Sequence, residues 1–156
     1  MLFIAAASYL LIPSPSFPKA PPGSLRSNEP GDMESIYRRA YFTNFSRSEI
    51  LAHYGKEFSG SLPQFLFNYP PEEAFSLIRD QTKSSWLQEY VHIGRESLYI
   101  NGFYPTKPTE QININGVHYV NKITVRYIPS DQVSRLTVLG LIGISIYLLF
   151  KEYARI

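Results

Sequence analysis

Between Arg135 and Lys151 the chain reads LTVLGLIGISIYLLF, fifteen residues without a charge. A helix over Leu136–Phe150 is apolar around its whole circumference, so a soluble domain would have to bury it on every side. The run is bracketed by cations and comes after the last strand-like pattern. These features mark it as a membrane-spanning helix. At ~1.5 Å per residue it covers roughly 22 Å, short of the roughly 30 Å hydrocarbon layer. Snorkelling of Arg135 and Lys151, inclusion of Val133, and interfacial placement of Tyr147 and Tyr153 make up the difference. Gly140 and Gly143 would let another helix approach closely, although their spacing is not GxxxG.

The other end, Leu2–Ile12 (LFIAAASYLLI), is apolar but too short to span. It is like the apolar stretch of a signal peptide, yet lacks a basic segment before it. It reads as a signal-anchor-like segment, or as the surviving half of a longer one. Six prolines between Pro13 and Pro30 then give an extended tether of polyproline character. The expected organisation is therefore an apolar segment over 1–12, a Pro-rich linker over 13–32, a folded domain over 33–129, and a membrane helix with a short tail over 130–156. About 100 residues suffice for a buried core without staples.

Composition removes several classes of function. A formal charge of +2 and the lack of any Lys/Arg stripe argue against a nucleic-acid partner. Without cysteine there are no disulfides, thiolate metal sites or thiol nucleophiles. The 12 Tyr and 10 Phe suit sheet and core packing better than a stacking platform for bases or sugars.

Within the domain, Arg38–Phe45 is rich in β-favouring residues and predicts a strand. Ser46 and Glu49 have capping-box spacing, Phe45 and Ile50 the staple positions, and Ile50, Tyr54 and Phe58 recur on one helical face up to Gly60. A second helix starts at Pro71 with Glu72 and Glu73 in its first turn, buries Ala74, Leu77 and Ile78, and fades by Thr82. Trp86–Ile93 reverses at Gly94-Arg95 into Ser97–Tyr104. Gln111–Asn115 meets a long strand Val117–Ile128 across Asn115-Gly116, the strongest short hairpin signal in the chain. In that last strand Val117, Tyr119, Ile123, Val125 and Tyr127 alternate with His118, Lys122, Thr124 and Arg126. The expected fold is α+β: two helices covering one face of a mostly antiparallel sheet of four to five strands, plus the C-terminal transmembrane helix.

Chemistry is sparse. His53, His92 and His118 fall on a helix and two different strands, never at ligand spacing. Glu72 and Glu73 point about 100° apart on their helix and serve its dipole. Asp80 with Arg79, and Glu89 on its strand, would do acid–base work only if folding converged them. Asn44-Phe45-Ser46 matches a glycosylation sequon, but Ser46 has its capping role. Arg38-Arg39 reads as a solvated edge that discourages strand pairing, with contact to anionic lipid or a partner as the alternative. No catalytic, cofactor-binding or metal-binding residue is assigned.

The stretches PPGSLRSNEPGDMESIYRRAYFTNFSRSEILAHYGKEF, RESLYINGFYP and ININGVHYVNKITVRYIPS, followed by a terminal apolar segment, resemble a group of small bacterial membrane-anchored proteins. The resemblance implies an apolar N-terminus, a Pro-rich tether, a compact α+β domain and a C-terminal anchor, and it brings no activity, cofactor or binding residue. The expectation is a non-enzymatic interaction or accessory module of the cell envelope. It would sit in the bilayer by one or two passes, with its domain extracytoplasmic and a protein partner in the membrane. The alternative is a membrane-associated hydrolase or transferase whose site, drawn from Glu89, His92 or His118, forms only in the fold.

Overall fold

The structure, a computed structural model, describes residues 1–78 and 84–155. Its α-helices are α1 (Leu2–Leu10), α2 (Arg47–Ser59), α3 (Pro71–Leu77) and α4 (Gln132–Tyr153). Its strands are β1 (Leu25–Arg26), β2 (Arg38–Thr43), β3 (Phe65–Tyr69), β4 (Trp86–Val91), β5 (Ser97–Phe103), β6 (Ile112–Ile114), β7 (Val117–Tyr119) and β8 (Asn121–Ile128). Two compact units result: Pro15–Ile128, and a second that joins Met1–Ser14 to Pro129–Ile156.

The larger unit is α+β, as the sequence implies. Its sheet has six antiparallel strands in the order β1-β2-β8-β5-β4-β3, and β6 and β7 form a separate two-stranded sheet. The expected four to five strands and two helices are therefore too few.

Helix α2 forms where its caps dictate. Ser46 accepts from the Glu49 backbone N–H while the Glu49 carboxylate accepts from the Ser46 N–H, the reciprocal capping box. Ile50, Tyr54 and Phe58 then point down together and are fully buried against Tyr41, Trp86, Tyr90, Leu98, Ile100, Ile123 and Val125. Each such side chain removed from water stabilises the fold by about 1.5–3 kcal/mol.

Helix α3 does not join α2. Its Ala74 and Ile78 pack on Leu87, which alternates with Trp86 and Gln88 and so points to the opposite face of the sheet. The two helices thus cover two faces, not one. The reason is the intervening strand β3, which returns the chain along the sheet edge before α3 begins. The expected end of this helix near Thr82 lies outside the described residues.

The long last strand is broken. Asn115 and Gly116 both take positive φ, 53° and 79°, as a tight hairpin turn requires, but β7 pairs only with β6. At the break, the Val120 N–H donates to Asn44 Oδ1 at 2.9 Å and buried Asn121 donates from Nδ2 to the Phe45 carbonyl at 2.6 Å. These bonds fix the chain where it leaves β7 and enters β8.

Residues 13–32, expected as a Pro-rich linker, carry β1 and a 3-10 turn at Pro30–Met33. Ser27 donates to Asp32 Oδ2 at 2.5 Å, and Lys122 reaches Asp32 Oδ2 and Glu29 Oε2, both at 2.7 Å. Phe17 packs edge-on to Tyr127, whose hydroxyl donates to the Pro15 carbonyl at 2.8 Å.

In the smaller unit, α4 is long and apolar enough to cross a membrane, and little of it is buried. Its 22 residues give about 33 Å, enough for the hydrocarbon layer without further help. Asp131 caps it by accepting from the Ser134 N–H at 2.9 Å, a bond that holds its carboxyl below the usual range. Helix α1 lies antiparallel to its first half. Gln132 Nε2 donates to the Leu11 carbonyl at 2.6 Å, and a Cβ at Gly143 would sit 3.2 Å from the Phe3 ring. Arg135, expected to snorkel, is instead buried beneath the N-terminal segment.

Candidate functional site

Sheet register brings Arg38, Arg126, Tyr99 and Glu89 into one row across four strands. Arg38 stands directly opposite Arg126, Arg126 opposite Tyr99, and Tyr99 opposite Glu89. Cross-strand partners project to the same side, here the face that carries α3. Arg38, which shares its face of β2 with Ala40 and Phe42, is only 6% exposed. The expectation of a solvated edge fails because β2 pairs with β8 along its whole length, Arg38 included.

At one end of the row, Tyr69 donates to Glu89 Oε2 at 2.6 Å, and Tyr99 stands opposite Glu89 in the register. The bond to Glu89 pushes the Tyr69 hydroxyl up to about 12, with burial adding to it. Burial, then the Glu89 carboxylate, raises Tyr99 further. At the other end, Arg38 Nη1 pairs with the exposed Glu34 carboxylate at 3.1 Å. Between them Arg126 donates from Nη1 to the Leu77 carbonyl, the last residue of α3, at 3.3 Å. A cleft of about 610 Å³ opens here, walled by Glu34, Ser35, Arg38, Ser76, Tyr99 and Arg126.

The three residues singled out for a catalytic alternative have separate surroundings. Glu89 is held by Tyr69. His92 is buried at the β4–β5 turn, where Nδ1 meets Glu96 Oε1 at 2.9 Å and the ring stacks on Phe58 at 4.4 Å. Arg95 Nη2 joins the same Glu96 oxygen at 2.9 Å. His118 is exposed on β7, facing Asn113 Oδ1 at 3.1 Å. Of the rest, His53 meets the Lys19 carbonyl at 3.0 Å, Glu72 and Glu73 occupy the first turn of α3, and Asn44 uses its side-chain oxygen on Val120. Arg79 and Asp80 lie outside the described residues. Among the described residues no group of three or more His, Cys, Asp and Glu is placed to hold a metal ion.

A second surface was illegible in the sequence. Strand β3 is the sheet edge, paired in unbroken register with β4 on one side and, among the described residues, with no strand on the other. Its Phe65, Leu66 and Phe67 remain 50%, 51% and 47% exposed. Beside it a groove of about 610 Å³ is lined by Arg47, Leu51, Leu66 and Asn68. Arg47 donates to Asn68 Oδ1 at 3.3 Å and lies over the Trp86 ring.

No protein-family model matches the chain, and neither a curated protein nor a solved structure is similar enough to count as a match.

Proposed function

We propose that this chain is a membrane-tethered, non-enzymatic interaction module of the cell envelope that receives an extended strand of a partner protein along β3. The open apolar edge carries this reading. Sheet edges are ordinarily blunted by lysine, internal proline, a bulge or a covering element, because an unpaired row of N–H and C=O groups templates further pairing. Strand β3 (FLFNY) has none of the first three and is bracketed by Pro63 and Pro70. An added strand would satisfy its outward backbone groups, with alternate side chains meeting Phe65 and Phe67 on one face and the Leu66 groove on the other. The apolar helix α4 supports the tether, and the signal-like N-terminus supports an extracytoplasmic domain.

The test is recovery of the full chain from membranes in mild detergent, with and without lysines at positions 66 and 67. A stoichiometric protein partner should accompany the wild type and be lost from Leu66→Lys/Phe67→Lys, whose circular dichroism stays native. A clean monomer in both cases would sink the reading. Protease added to intact cells checks the side: a domain left uncut until the membrane is breached would overturn the extracytoplasmic placement.

A further inference from the structure

We infer that the strand received along β3 carries a carboxylate side chain opposite Asn68 and an apolar one opposite Leu66, and that Arg47 reads the carboxylate. The inference rests on the edge reading above and adds which strands the edge accepts. Among the described residues that line the groove beside β3, Arg47 is the charged one, and no carboxylate is present. Its Nη2 donates to Asn68 Oδ1 at 3.3 Å, and its guanidinium lies over the Trp86 ring, 5.3 Å from the centroid. Both partners are neutral. The nearby Glu49 carboxylate is committed to Ser46, accepting from its backbone N–H at 2.8 Å and its hydroxyl at 2.6 Å. Arg47 makes no ion pair with any described carboxylate. A half-buried fork is thus set above the outermost strand with N–H groups to spare, and a carboxylate matches that fork with two oxygens.

Register turns this into a sequence preference. Leu66 and Asn68 stand opposite Tyr90 and Gln88, on the side of the sheet that carries α2. Side chains directly opposite them on an added strand lie about 4.5–5.5 Å away at Cβ. The one opposite Asn68 meets Arg47, and the one opposite Leu66 meets Leu51 in the groove. Every pairing in this sheet is antiparallel. An added strand that continues the pattern runs from Tyr69 toward Phe65, so its acidic residue comes two positions before the apolar one. A second copy of β3 does not fit, because FLFNY has no carboxylate to offer.

The experiment uses the full chain in mild detergent and four labelled, end-capped peptides, TEVLVT, TQVLVT, TKVLVT and TVLVET, followed by fluorescence anisotropy. TEVLVT should bind wild type about tenfold tighter than TQVLVT, as expected for a charge-assisted pair, and tighter than TVLVET. Arg47→Glu, which suits the first turn of α2 and so preserves the helix, should reverse the preference toward TKVLVT. Leu66→Lys/Phe67→Lys should bind none of them. Equal binding of TEVLVT and TQVLVT to wild type, lost in the double variant, would overturn the role of Arg47 and leave the edge standing. A preference for TVLVET would overturn the order of the two residues. Binding of no peptide to wild type would overturn the edge reading as well.

Discussion

The guanidinium of Arg135 reaches 123 residues back along the chain and donates from Nη1 to the carbonyl oxygen of Ile12 at 3.3 Å. Its other donors hold Ser14 Oγ at 2.9 Å and the Ser130 and Asp131 carbonyls at 3.0 and 3.4 Å. One side chain thereby ties the segment after α1 to the start of α4.

Arg135→Leu should release α1 from α4. Each bond from a charged donor contributes roughly 1.5–3 kcal/mol, and two of those lost lead to the N-terminal segment. The chain has no native cysteine, so cysteines at positions 11 and 132, bridged by a short bifunctional reagent, report on the contact. Bridging should fall sharply in the variant, and an unchanged yield would show that Arg135 is not the clasp.

Glu96 is fully buried and holds both Arg95 and His92. Glu96→Gln leaves a buried guanidinium without its counter-charge and should cost about 3–5 kcal/mol in urea unfolding. Replacing both partners, Arg95→Met with Glu96→Leu, should recover most of that loss. A single-variant cost below about 1 kcal/mol would mean that water already reaches the pair.

Gly102 lies on β5 with its Cα against Trp86, and a Cβ there would stand 2.0 Å from Trp86 Cε2. Gly102→Ala therefore forces the indole out of place and should destabilise the domain by about 1–3 kcal/mol. Trp86 is the only tryptophan, so its emission reports the displacement directly. A red-shifted spectrum is expected, and an unchanged one would place the ring elsewhere.

The capping box makes α2 sensitive to acid. Bonds from Ser46 hold the Glu49 carboxyl below its ordinary value of 4.5. The folded state thus binds the proton more weakly than the unfolded chain. Its stabilisation is complete above that value and is lost as pH falls through the lower folded-state value. Glu49→Gln should flatten this part of the acid unfolding curve, and Ser46→Ala should cost roughly 1 kcal/mol at neutral pH. An acid limb identical in wild type and Glu49→Gln would assign the effect to other carboxylates.

Sequence reading succeeded where local chemistry decides the outcome. Ser46, Glu49 and the Ile50, Tyr54, Phe58 stripe define α2 without help from the rest of the chain, and Asn115-Gly116 does the same for its turn. It missed β3 because five mostly apolar residues between prolines have no alternation to betray a strand. It ran β7 into β8 because the polar/apolar rhythm continues through Val120, while the break is made by Asn44 and Asn121, whose bonds to Val120 and to the Phe45 carbonyl each span 76 residues of sequence. Arg38 looked like a solvated edge because strand order is a long-range property. The row of Arg38, Arg126, Tyr99 and Glu89 exists only once three registers are fixed, and no local pattern encodes it.

Helices α1 and α4 are partners in space but opposite ends of the chain in time. Leu11 leaves the ribosome 121 residues before Gln132, its hydrogen-bonding neighbour. At roughly 5–20 residues per second that interval is on the order of ten seconds. Throughout it the nascent chain holds a short apolar helix with no mate, while the entire domain emerges and folds between. The newborn protein thus meets the cell as an unfinished hairpin, and whatever lipid or chaperone shelters α1 during those seconds must give it up when Arg135 arrives.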